Sequence, residues 1–274
     1  MSSAGRVVTE YGGLYRILGA RDFLALMVAT ARNSSAILHS GKLTSVDTAM
    51  SRDMTIHYRG VDVRFPIAEV DRMLEGANDN PTFGNIREIY GRDCYLSPFR
   101  LSEPIGSALD LGANRGIFSI LALKVLSADR VIGVEPEAKY EPVVRCLLEA
   151  NHVAPERAPR YTRLAVSPSS EQADPAHTIS IDSICEEHAL DRLGFVKIDI
   201  EGFENDLFRE SEWLARVDNI AMELHPHMVG DLSHIPQALQ SFGFRFLSVD
   251  QAGTPRDVNH SMFLYASRTG ALIA

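Results

Sequence analysis

Asp110, Gly112 and Gly116 lie in one short run, Asp-Leu-Gly-Ala-Asn-Arg-Gly, preceded by the apolar Ala108 and Leu109 and followed by Ile117 and Phe118. An apolar strand that ends on an acid, turns through glycine and enters a helix is the pattern of a nucleoside cradle. Gly112 and Gly116 let backbone come close to a ligand with no Cβ in the way. A second acid, Glu135, closes the next apolar stretch, Val131 to Val134, about 20 residues on, where a carboxylate can bind both hydroxyls of a ribose. A dinucleotide site uses GxGxxG and seats a pyrophosphate on helix N–H groups; here the spacing is GxxxG with an acid two residues before it. That acid repels a pyrophosphate and suits S-adenosylmethionine, a phosphate-free cation whose ammonium a carboxylate can hold directly or through water. Asp110 and the backbone of Gly112, Ala113, Asn114 and Gly116 would then hold the methionine end, Glu135 the ribose and the region of Ala165 the adenine. A glycine turn with an acidic helix cap reads the same way, because DxGxxxG is short.

A second constellation follows. In Phe195-Val196-Lys197-Ile198-Asp199-Ile200-Glu201-Gly202 a period of two places Lys197, Asp199 and Glu201 on one side and Val196, Ile198 and Ile200 on the other. Charges in a central strand must pair or touch a ligand. Lys197 reads as a structural partner, while Asp199 sits at the carboxyl end, where ligands bind in such sheets. The next strand ends in Met222-Glu223-Leu224-His225-Pro226-His227, which opens into the same cleft. Asp199, Glu201 and His225 are therefore the candidate catalytic residues. His225 is the natural base, since an unperturbed imidazole is largely neutral at pH 7 and can take a hydroxyl proton. A histidine that only bonds a loop, and an ion-paired strand end, are the plainer alternatives. Asp199, Glu201, Glu223 and His225 could also hold a divalent cation, but their spacings match no tight ligand signature, so no metal site is assigned.

The elements that must position these residues alternate strand and helix from residue 107 onward. Strands are expected to 110, to 135, and over 161–166, 195–200, 219–223, 244–249 and 262–266; helices to about 126 and over 137–150, 204–210 and 234–241. That is an α/β fold, a doubly wound Rossmann-like sheet, and its last two strands lack an intervening helix and form an antiparallel pair at one edge. Before it, residues up to about 51 read as helical, and 55–58 against 61–64 read as a hairpin around Gly60. Residues 1–98 form an accessory region, a substrate cap or oligomerisation element, and 99–274 the cofactor-binding domain.

With 45% hydrophobic and 23% charged residues the 274-residue chain is an ordinary globular protein. Its 27 Lys and Arg against 36 Asp and Glu give a net charge of -9 with no basic cluster, which argues against nucleic acid and for a small acceptor. Three cysteines far apart form neither a disulfide framework nor a zinc site, so a cytoplasmic location is expected. The apolar stretch Phe23 to Ala31 superficially resembles a signal peptide, but Glu10 and Asp22 precede it and it is too short to span a bilayer. A helix buried against the main domain or a second subunit, hence a homodimer through the N-terminal region, is the simpler expectation.

Taken together, the DLGANRG run, Glu135-Pro136, Thr178 to Ile184 and Val196-Lys197-Ile198-Asp199-Ile200-Glu201-Gly202-Phe203-Glu204 resemble the FkbM-type methyltransferases over roughly the last two thirds of the chain. Lys197 to Glu204 is the most specific block, similar to the family's KIDxEGxE segment. Ile181 stands where the family commonly has Leu, a conservative departure. The resemblance implies O-methylation of a hydroxyl on a sugar, polyketide or similar secondary metabolite with S-adenosylmethionine. A nicotinamide-dependent oxidoreductase and a non-catalytic nucleoside-binding protein are the competing functions compatible with the same fold.

Overall fold

Short apolar runs broken by glycine and charged turns dictate the elements found in the computed structural model, which describes residues 3–77, 79–101 and 104–273. In chain order they begin with four helices, α1 (Ser3–Ile17), α2 (Ala20–Arg32), α3 (Ser34–Ser40) and α4 (Thr44–Ala49). A hairpin of β1 (Met54–Tyr58) and β2 (Val61–Phe65) follows, then α5 (Ile67–Met73) and α6 (Thr82–Ile86), which runs into a π turn over Arg87–Gly91. Next come β3 (Ser107–Leu111), α7 (Ile117–Lys124), β4 (Arg130–Val134), α8 (Glu141–Ala150), β5 (Arg160–Tyr161), β6 (Leu164–Ala165), β7 (Thr178–Ile179) and α9 (Ile181–Glu187). The chain ends with β8 (Phe195–Ile198), α10 (Glu204–Leu207), β9 (Asn219–Glu223), α11 (Pro226–Val229), α12 (His234–Ser241), β10 (Arg245–Val249) and β11 (Phe263–Ser267).

Two compact units result, and they are interleaved in sequence instead of meeting at residue 98. One gathers Met1–Cys94, Arg115–Val125 and Lys139–Ala154; the other gathers Tyr95–Asn114, Leu126–Ala138 and Pro155–Ala274. In the first, the hairpin pairs Thr55 with Arg64 and Tyr58 with Val61, and Arg87 bonds both oxygens of the buried Asp47 as well as Glu10. The apolar stretch 23–31 lies inside α2, with Leu26 and Ala29 buried. Among the described residues no helix is long and apolar enough to cross a membrane.

The second unit is built on a seven-stranded sheet of order β10-β11-β9-β8-β3-β4-β5. β11 alone runs against its neighbours, and β10 and β11 form the antiparallel edge pair. This is the doubly wound Rossmann-like sheet with a terminal antiparallel pair. One face carries Leu109, Leu111, Ile132, Val134, Val196, Ile198, Ile220 and Met222 into a single core with α9 and α12. Across registers, Asp110 pairs with Lys197 and Lys197 with Ala221, so these alternate positions occupy the opposite face. There Phe99 packs edge-on against Phe195 and Tyr265, and Tyr95 against Phe263. The chain winds outward from β3 through β4 to β5 and then returns to β8 on the other side of β3. This makes the carboxyl ends of β3 and β8 the topological switch point, where such sheets take ligands.

Two strands differ from expectation. The run 161–166 splits, because β5 pairs with β4 while β6 leaves the main sheet to pair with β7. β8 stops at Ile198, since Glu201 at φ +51° and Gly202 at φ +99° cannot continue an extended chain.

Candidate functional site

At the tips of β3 and β4 the backbone makes the site. Gly112 and Ala113 both donate their N–H groups to Val134 O, at 2.9 and 3.0 Å. Asn114, left-handed at φ +44°, donates its N–H to Glu135 Oε2 at 2.8 Å, and Glu137 donates to Glu135 Oε1 at 3.0 Å. The buried Glu135 carboxylate is thereby fixed by one N–H on each oxygen, with lone pairs left on both.

The glycines serve packing in this arrangement. Gly112 has φ +71°, and a Cβ there would stand 1.6 Å from Asp199 O, so the missing side chain admits the chain's own backbone at the end of β8 and not, as the sequence suggested, a ligand. Gly116 belongs to the other unit, where it precedes α7 at φ +74° and a Cβ would press on Val144 at 2.9 Å. Asp110 also differs from the sequence reading. Its carboxylate is wholly enclosed and 3.3 Å from Lys197 Nζ, not displayed to an incoming ammonium. Ala165 lies in β6 with its side chain in the core, so only its backbone is available to an adenine.

Lys197 ties the two strand tips together. Its ammonium donates to Leu111 O at 3.2 Å and Gly112 O at 2.7 Å and lies 3.6 Å from Asp199 Oδ2. Burial by itself would lower its pKa, but the charges of Asp110 and Asp199 outweigh burial and hold it above the usual lysine value.

At the tips of β8 and β9 the side chains make the site. Tyr95 donates its hydroxyl to Asp199 Oδ2 at 3.1 Å. His225 Nε2 comes within 4.0 Å of Glu201 Oε2, and the nearest ligand atoms of Asp199, Glu201 and His225 all lie within 4.8 Å of one another. The three candidate catalytic residues are thus brought together, Glu201 with its side chain 81% exposed at the rim and His225 at 12%. On its other side the His225 Nδ1 contacts Oε1 of the fully buried Glu204 at 2.7 Å. Burial alone would lower the imidazole's pKa; the Glu204 hydrogen bond and charge, with Asp199 and Glu223 behind them, push it up to about 9. The neutral ring, the form that can accept a proton, is therefore the main form only above about pH 9. Asp199, Glu201 and His225 have the donor chemistry of a cation site, and the Lys197 ammonium stands 3.6 Å from Asp199 Oδ2 beside them.

Sequence reasoning missed Tyr95 and Glu204 as site residues. Tyr95 lies more than a hundred positions from its partner, and no spacing rule could reach it. Glu204 is the last residue of the KIDxEGxE-like block, so the resemblance contained it without giving it a role.

Residues 165–246 match the methyltransferase FkbM domain. The matched segment includes Lys197, Asp199, Glu201, Glu204 and His225, the whole β8–β9 half of the site except Tyr95. Among solved structures the chain is similar to methyltransferase FkbM from Methylobacillus flagellatus KT, with 16% identity, 73% of this chain and 58% of that chain covered, and a TM-score of 0.45. It is similar also to a protein assigned as a SAM-dependent methyltransferase from Streptococcus mutans, with 14% identity, coverage of 78% and 55%, and a TM-score of 0.44. A third, assigned as a methyltransferase and crystallised with SAH, shows 10% identity, coverage of 79% and 55%, and a TM-score of 0.42. The chain therefore spans a little over half the length of these structures. No curated protein sequence matches it.

Proposed function

We propose that the protein is an S-adenosylmethionine-dependent O-methyltransferase acting on a hydroxyl of a sugar, polyketide or other secondary metabolite. The observation that carries this reading is the state of the β3 turn. The N–H groups of Gly112, Ala113 and Asn114, which a dinucleotide site would offer to pyrophosphate, are engaged by Val134 O and Glu135, and the partner of one of them is a carboxylate. A pyrophosphate loses those three donors and meets a repelling charge. A phosphate-free adenosine cation fits, because Glu135 keeps lone pairs on both oxygens for a ribose diol and the surrounding carboxylates favour positive charge. This ranks the nicotinamide and the purely nucleoside-binding alternatives below the methyl-transfer reading.

S-adenosylmethionine would supply an electrophilic methyl group to the acceptor oxygen. The chain's own residues have simpler tasks. Glu135 would orient the ribose, the backbone from Gly112 to Asn114 would line the methionine end, and Lys197 keeps the turn and the end of β8 in register. Asp199, held by Tyr95 and Lys197, would face the acceptor, and His225 Nε2 would take the hydroxyl proton in the neutral form of the ring, whose share grows as pH rises toward about 9. Alignment supplies most of such a rate, with proton removal contributing typically 10²–10⁴-fold.

The reading extends to a small hydroxylated acceptor, no nucleic acid, and a cytoplasmic location, which rest on the net charge of -9 and the cysteine usage. A homodimer through the N-terminal helices is supported by Leu24, Met27 and Val28, which form an exposed apolar stripe on α2; sedimentation of the purified protein tests it. Calorimetric titration tests the core of the proposal. S-adenosylhomocysteine should bind and NAD and NADP should not, and the reverse order overturns it. With labelled S-adenosylmethionine and a panel of hydroxylated metabolites, His225→Ala should lower turnover by about 10²–10⁴ while leaving S-adenosylhomocysteine affinity in place.

A further inference from the structure

Glu204 opens α10, three residues after the rim acid Glu201, and it is the one carboxylate of this cluster with no exposed surface. Its Oε1 accepts from Gly202 N–H at 3.3 Å and meets His225 Nδ1 at 2.7 Å, while Oε2 is buried and has no hydrogen-bond partner. A carboxylate enclosed to that degree is costly unless a positive or strongly donating group faces it. The side chain that faces it here is His225, which arrives from the end of β9, 21 residues away.

We propose that Glu204 is the positioning residue of the transfer step: it holds His225 with its proton on Nδ1, so that Nε2 is the ring atom that receives the acceptor's hydroxyl proton. The inference rests on the methyltransferase reading and adds to it the residue that orients the base. An ionised carboxylate only accepts hydrogen bonds, so the ring atom it touches must carry the hydrogen. When the ring is neutral its lone pair is then on Nε2, the nitrogen on the side of Glu201 and Asp199. In the proton step the acceptor O–H bond breaks, its electron pair stays on oxygen, and an Nε2–H bond forms. The resulting imidazolium is balanced by Glu204 at 2.7 Å, much as a buried carboxylate steadies the histidine of a hydrolytic triad. Glu201 cannot do the same from its exposed position 4.0 Å from Nε2, because water screens it and it lies on the acceptor's side of the ring.

The charged and titratable groups around His225 are Glu204 on α10, Asp199 and Glu201 from the turn after β8, Glu223 at the end of β9 and His227 on α11. Removing the Glu204 charge leaves the other three carboxylates in place. Glu204→Gln should therefore move the His225 pKa from about 9 part of the way toward 6.5.

Nitrogen-15 NMR of the imidazoles in the ligand-free protein tests this directly, with His225→Gln used to assign the signals. Wild type above pH 9 should show the Nδ1–H tautomer, and Glu204→Gln should lose that preference and titrate at lower pH. In turnover assays above pH 9, where the ring is neutral in both proteins, Glu204→Gln should reduce kcat at least tenfold with the KM for S-adenosylmethionine unchanged, and Glu204→Asp should recover part of it. An Nε2–H tautomer in wild type, or a His225 pKa and tautomer indifferent to Glu204→Gln in a folded variant, overturns the inference. Failure of the underlying reading looks different: His225 behaves as described, but S-adenosylhomocysteine does not bind wild type.

Discussion

The two halves of the candidate site are made of different material. At the tips of β3 and β4, Glu135 is held by two backbone N–H groups close to it in sequence, that of Asn114 in the turn about 20 residues before it and that of Glu137 two residues after it. At the tips of β8 and β9, Tyr95, Lys197, Asp199, Glu204 and His225 are held by one another's side chains, and most of those bonds are charge-assisted. The first half depends on chain geometry. The second depends on which groups are ionised, so a single lost charge can rearrange it. On the proposed function, a half that holds beside a charged half that reacts is the division expected where a cofactor must stay put while a proton moves.

The most severe way to break the contrast is to remove the residue that spans it. Lys197 is buried with Asp110 and Asp199 and donates to two carbonyls of the β3 turn. Lys197→Met leaves Asp110 enclosed without its cation and should destabilise the fold by about 3–5 kcal/mol, the usual cost of halving a buried pair. Denaturant unfolding measures it. The double variant Lys197→Met with Asp110→Asn should recover a large part of the loss, since the fully buried charge of Asp110 is then removed with its cation and only the part-exposed Asp199 is left without it. If the single variant is as stable as wild type, the two tips are not coupled through Lys197.

A change confined to the backbone-built half should affect binding and spare stability. Charge-assisted hydrogen bonds are worth about 1.5–3 kcal/mol, so Glu135→Ala should weaken S-adenosylhomocysteine about ten- to hundredfold in titration calorimetry. An unchanged affinity removes Glu135 from the cofactor site and with it the claim that this half does the holding.

The same division decides how much could be read from the sequence. The sheet, its antiparallel edge and the joint location of Asp199, Glu201 and His225 follow from alternation and from strand ends, which are local patterns. The meaning of individual residues inside those patterns was less accessible. Asp110 and Gly112 stand where a cradle needs an acid and a glycine, but the acid is paired to Lys197 and the glycine makes room for Asp199 O. Both facts depend on β8 lying beside β3, which only the fold brings about. His225 was legible as a candidate base by type and position, whereas its charge state depends on Glu204, a residue whose importance arises from burial and a contact across 21 positions. The split of the 161–166 run likewise reflects pairing with β7, a partner no local pattern indicates.

A gentler probe is pH. Because the His225 pKa is raised in the fold, its contribution to stability is complete below about 6.5, its unfolded value, and is lost as pH climbs through about 9. The melting temperature should decline across that window, and the decline should be shallower in Glu204→Gln, where the folded pKa lies closer to the unfolded one. A slope identical in the two proteins would mean that the charge of the reacting half is set elsewhere.

The smallest expected effect comes from Glu201, and it discriminates best because a rival reading expects the opposite. Two carboxylates approach His225. Glu204 lies 2.7 Å from one ring nitrogen and is buried, while Glu201 lies 4.0 Å from the other and is 81% exposed. An exposed pair at that distance contributes little, because water and salt screen it and the side chain loses freedom in making it. Glu201→Gln should then alter turnover by less than about threefold and leave cofactor affinity as it was. If instead Asp199, Glu201 and His225 jointly held a divalent cation, Glu201 would be one of only three protein ligands. Its loss would abolish activity, EDTA would do so in wild type, and magnesium would restore it. A mild Glu201→Gln phenotype together with indifference to EDTA leaves proton transfer to His225 as the chemistry of this half. A severe phenotype that magnesium relieves would turn the same three residues into a metal centre and make Glu204 the carboxylate that orients a ligand instead of a base.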